Sequence, residues 1–176
     1  MHKSIIFKGI PAILSMVIAL AIFTTDILAA EEGTVTATVT ATSISLTVSD
    51  GTVEYLTVGV GQTKDTTTNA TTGVDDSQTA NNNGNVAEDF NIKGVDTLSW
   101  ALAGTAGSET YFHKWCISDC DGTATWTAMT TSYTTLASGI AKDADQIFDL
   151  QIGTPTTTAV FTEQSPNVTI QAVEAA

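Results

Sequence analysis

The stretch TVTATVTATSISLTVSDG, residues 34–51, decides the fold. Up to Ala41 it alternates strictly, with Val35, Ala37, Val39 and Ala41 on one side and threonines on the other. A period of two is that of a strand with one face buried. At Ser43 the phase changes, and Ile44, Leu46 and Val48 become the apolar set. A one-residue slip exchanges the two faces, so the change predicts a bulge, a kink or a strand that crosses between sheets. First strands that divide themselves in this way are common in sandwiches. Asp50-Gly51 then makes a tight turn, and TVEYLTVGV (52–60) reads as the returning strand.

Outward from there the same period recurs and helical spacing is nowhere sustained. Threonine and valine, stiff at the β-carbon, dominate and suit a pleated surface. Residues 61–85 are mostly Thr, Asn, Asp and Gly and read as a long exposed connection with at most a short edge strand. Strand patterns resume at VAEDFNI (86–92) and at TLSWALA (97–103), where Leu98, Trp100 and Leu102 share a face. ETYFHKWCI (109–117) and TATWTAM (123–129) follow. QIFDLQI (146–152) puts Phe148, Leu150 and Ile152 inward, AVFTEQ (159–164) reads as a short edge strand, and NVTIQAV (167–173) turns Val168, Ile170 and Ala172 inward. About eight to ten short antiparallel strands with turns between them predict a β-sandwich.

The N-terminus has the three parts of an export signal. Lys3 and Lys8 are its positive region, Ile10 to Phe23 its apolar region, and Ile27-Leu28-Ala29-Ala30 its small-residue cleavage site. The apolar run is shorter than the ~20 residues of a membrane span. The expected organisation is therefore a signal over residues 1–30 and a single β-sandwich over 31–176, with no membrane span after cleavage and a secreted or cell-surface location. The alternative is a signal kept as an N-terminal anchor.

After the signal the chain holds four lysines (Lys64, Lys93, Lys114, Lys142), no arginine and eighteen carboxylates, a net charge of −14. Nucleic-acid binding needs the opposite sign, and an anionic membrane surface repels such a chain. Cys116 and Cys120 in WCISDCDG are most simply a disulfide pinching a loop. Free thiols, or a metal or redox pair, are the alternatives. Two thiols spaced C-x-x-x-C without neighbouring histidines fit those roles poorly.

Catalytic parts are scarce. His113 is the one histidine after the signal, and G-x-S-x-G, H-E-x-x-H and Gly-rich phosphate loops are all missing. No enzyme is expected, although carboxylates for sugar hydrolysis need only meet in space. Tyr111, His113 and Trp115 alternate onto one side of a strand, and with Phe112 and Trp126 nearby they are either core packing or a sugar-stacking strip. No cofactor is required; calcium is the ion best suited to the oxygen-rich segments. Its candidate ligands are Asp119 and Asp121 ahead of Gly122, and Asp75 and Asp76 with Asn81 to Asn85. Turn chemistry explains the same residues. Asn69-Ala70-Thr71 and Asn167-Val168-Thr169 match the N-glycosylation pattern.

TVTATVTATSISLTVSDGTVEY (34–55) and TANNNGNVAEDFNIKG (79–94) resemble small exported immunoglobulin-like β-sandwiches of bacteria and archaea. Among these are fibre-forming subunits of the TasA and camelysin kind and WxL-type surface proteins. The resemblance implies an immunoglobulin-like sandwich with a matrix, fibre or cell-surface role, and carries over no catalytic residue. The expected function is a structural subunit that self-associates or coats a surface, its N-terminal strand from Glu31 to Ala41 adding to a neighbour's sheet. The alternative is an adhesive module binding carbohydrate or another surface polymer through Tyr111, His113 and Trp115.

Overall fold

The computed structural model describes residues 32–68 and 73–176, so the export segment and the Asn69 glycosylation pattern lie outside the described residues. The chain divides into two compact units, residues 1–39 and residues 40–176. In the first, the described residues 32–39 form no strand, and Val35 and Val39 are 90% and 96% exposed. The alternating segment is thus not a paired strand. Its apolar positions are only valines and alanines, too small a payload to hold ordered chain by themselves.

The second unit is all-β, with no helix among the described residues. Its strands are β1 (Leu46–Ser49), β2 (Thr63–Asp65), β3 (Gln78–Asn82), β4 (Glu88–Gly94), β5 (Ala101–Leu102), β6 (Thr110–Cys116), β7 (Thr127–Ala128), β8 (Thr134–Ile140), β9 (Asp145–Gly153) and β10 (Val168–Glu174). They make two sheets. The larger runs β1-β3-β9-β6-β5, with β2 also on β9 and β7 also on β6; the smaller runs β10-β4-β8.

The nine-residue β9 is the spine of the larger sheet. β3 pairs with its first half (Gln78 opposite Phe148), β2 with its last residues (Asp65 opposite Gln151), and β6 along its other side (Trp115 opposite Leu150). β5 alone pairs in parallel, Ala101 opposite Thr110, which departs from the antiparallel expectation. Between the sheets lie Ala80, Phe90, Ile92, Trp115, Met129, Leu136, Phe148 and Leu150. Each of the larger apolar side chains contributes roughly 1.5–3 kcal/mol by leaving water. Phe148, Leu150 and Ile152 point inward as the alternation predicts, and Val168, Ile170 and Ala172 pack half-buried against the same core.

Several expected strands are displaced. Residues 61–85, read as an exposed connection, carry β2 and β3, with Thr66, Gln78, Ala80 and Asn82 buried. Polar side chains go inside here because each finds a partner. Gln78 Nε2 donates to Thr52 O and Asp76 Oδ1, and Asn82 Nδ2 donates to Val86 O and Ile140 O. The segment 52–60 forms no strand: Leu56 takes a positive φ of 55° and stands 76% exposed, while Val53 and Tyr55 pack on the core. Leu98 is 98% exposed rather than sharing a buried face with Leu102. The segment 159–164 is also without a strand, and β8 arises where no strand pattern was read.

Candidate functional site

β6 does place Tyr111, His113 and Trp115 on one face, but that face is the interior: their exposures are 0%, 2% and 9%. No ring of the three is presented to a polymer. Tyr111 Oη donates to the carbonyl of Val95, and burial holds its hydroxyl pKa above the usual value. Trp115 packs in the core with its indole N–H unpartnered among the described residues.

His113 Nε2 lies 3.0 Å from Tyr55 Oη, with the two rings edge to face at 5.8 Å. Burial drives the His113 pKa down to about 4, so the imidazole is neutral near pH 7. Tyr55 is held well above its ordinary pKa, by burial first and then by Asp65, Asp76 and Asp149. The histidine's partner is a phenol rather than a serine or a carboxylate, and its Nδ1 is buried without a partner among the described residues. Asp149, also buried, accepts hydroxyl hydrogens from Thr66 at 2.8 Å and Ser77 at 2.7 Å.

Cys116 and Cys120 lie at disulfide distance, Cα to Cα 5.9 Å, and close the loop that carries Asp119 and Asp121. An open pocket of about 480 Å³ lies beside this loop, with Asp119, Asp121, Asp145 and Asp149 in its wall. The first two carboxylates are occupied by backbone. Asp119 Oδ2 accepts Thr123 N–H at 3.1 Å and Asp121 Oδ1 accepts Thr68 N–H at 2.7 Å. Asp76 sits near Asp50, Asp75 and Glu54; desolvation and then these charges raise its pKa, while the Gln78 amide opposes the shift. Among the described residues no group of three or more His, Cys, Asp or Glu side chains is arranged to hold a metal ion. The proposed calcium residues Asp75, Asp76, Asp119 and Asp121 thus fall in two separate acidic neighbourhoods.

The Asn81–Asn85 run, the rest of that proposal, has a different use. Asn82 Oδ1 accepts Gly84 N–H, Asn83 Nδ2 donates to Thr47 Oγ1, and Asn85 donates to Ala41 O while accepting Ser43 N–H. Backbone bonds from Asn83 to Ser45 O and from Asn85 to Ser43 O complete the seam. Beneath it Glu88, fully buried, accepts Ser45 N–H at 2.9 Å, and its second oxygen has no partner among the described residues. Gly84 is required there: a β-carbon would lie 2.3 Å from Glu88 Oε1 and 2.5 Å from Ser43 O. The NNNGN turn therefore clamps residues 41–47, from which the alternating segment leaves.

No protein-family model, curated protein or solved structure matches this chain. The site must be argued from its own geometry. Sequence reasoning overlooked Glu88 and the clamp, because a buried carboxylate in EDFNI looks like any outward strand residue. The one signal was its place in the alternation, on the same face as Phe90 and Ile92.

Proposed function

We propose that this chain is an exported, non-catalytic structural subunit that self-associates into a fibre or coat through its N-terminal segment. The observation that carries this reading is the mismatch at residues 34–41. They hold the most regular strand alternation in the chain, yet they pair with no strand among the described residues, and Val35 and Val39 are almost wholly exposed. A segment patterned for a sheet and unpaired among the described residues is free to add as a strand to another chain's sheet edge.

Sheet edges suited to such pairing are present. β1 pairs only with β3, and β8 and β10 pair only with β4, so each leaves one side without a strand among the described residues. The clamp of Asn83, Asn85 and Glu88 holds residues 41–47 at the start of β1. A net charge of −14 after the signal opposes random aggregation, and strand pairing at these edges has to outweigh the same repulsion.

Light scattering of residues 31–176 over a range of concentrations tests the reading. Growth into large species that disappears on deletion of residues 31–41 is the expected result. A monomer at every concentration, or growth unaffected by the deletion, contradicts it.

A further inference from the structure

We propose that Asn167 is an N-glycosylation site whose glycan lies over the outward side of the β10-β4-β8 sheet. The inference rests on the export reading and goes beyond self-association. Asn167-Val168-Thr169 carries the acceptor pattern, and the backbone presents it openly. Val168 opens β10 opposite Gly94 and turns its side chain toward the core, half-buried. Asn167 and Thr169, on either side of it, are both exposed. The amide and the hydroxyl of the pattern therefore face solvent together, anchored by the valine between them.

The fold gives Asn167 no other employment. Asn81, Asn82, Asn83 and Asn85 each use their side-chain amides in hydrogen bonds. Asn167 makes none with the described residues. The surroundings suit a hydrated sugar. Beyond Thr169 the outward positions of β10 and β4 include Gln171 opposite Asn91, and Thr169 itself stands opposite Lys93. β10 is also an edge strand, and bulky hydrated groups on an edge obstruct unwanted pairing. A glycan on the residue just before Val168 hinders pairing at the start of that edge.

The chemistry balances with a lipid-phosphate-linked oligosaccharide as co-reactant. Asn167 Nδ2 forms a bond to the anomeric carbon of the first sugar, and the bond from that carbon to the lipid-phosphate oxygen breaks. One amide proton passes to a base of the transferring enzyme, and the lipid phosphate leaves.

The test uses the full chain made in its native host and recovered from the culture medium and envelope. Trypsin cuts after Lys142, and in the resulting peptide, residues 143–176, Asn167 is the single asparagine. Mass spectrometry is expected to find sugar mass on that peptide, complete loss of it in T169A, and retention in T169S. Thermal unfolding of the deglycosylated variants controls for misfolding, because Thr169 is exposed. An unmodified peptide from exported protein overturns the glycan and leaves export standing. Recovery of the chain only inside the cell, with residues 1–30 attached, overturns export and the glycan together.

Discussion

Glu88 Oε1, at the buried start of β4, accepts the backbone N–H of Ser45 at 2.9 Å, and this bond ties the entry to β1 in one sheet to the first residue of the other. Replacing Glu88 by Ala leaves that amide without its acceptor and a gap beneath Gly84. The expected loss is about 1–3 kcal/mol in urea unfolding. Glu88→Gln keeps an acceptor oxygen and loses less. Gly84→Ala destabilises in the same direction, because its methyl group meets Glu88 Oε1 and Ser43 O. An E88A variant as stable as the parent contradicts the clamp.

His113 makes stability depend on pH. Its pKa is about 4 in the folded chain against 6.5 for an ordinary histidine, and burial is the cause. The unfolded chain therefore binds the extra proton first as pH falls. The stabilisation is complete above about pH 6.5 and is lost progressively toward pH 4, by up to roughly 3 kcal/mol. Urea midpoints measured from pH 7 to pH 4.5 are expected to fall, and to fall less in H113Q. Equal slopes in the two proteins contradict this assignment.

Tyr55 is the one hydrogen-bond partner of that imidazole among the described residues. Tyr55→Phe keeps the ring packing but strands Nε2, at a cost of about 1–3 kcal/mol. A Y55F protein as stable as the parent refutes the pair.

The Cys116–Cys120 bridge closes so short a loop that its effect on the unfolded chain is small, about 2 kcal/mol. The double variant C116A/C120A is expected to fold, with a loss of about that size. Quantitation of free thiols in the unfolded parent protein should find none; two free thiols contradict the bridge.

Much of the architecture was legible, and the reasons are specific. Phe148, Leu150 and Ile152 announce a buried strand because apolar residues at period two have no other economical arrangement. Cys116 and Cys120 announce their bridge by proximity. β3 was not legible: QTANN looks like loop sequence, and only the amides of Gln78 and Asn82 finding carbonyls from distant segments let it enter the core. Tyr111, His113 and Trp115 were placed on one side correctly, but period cannot say which side faces water. That depends on the second sheet, which is built from residues far along the chain. Residues 34–41 show the converse, a strand pattern without a strand partner among the described residues.

Amide hydrogen exchange at residues 34–41, measured on residues 31–176 at low and at high protein concentration, tests self-association most directly. The account predicts rapid exchange in the dilute monomer and strong protection in the assembled species, with new protection on one of the edges β1, β8 or β10. Large assemblies in which residues 34–41 still exchange as fast as in the monomer would contradict it.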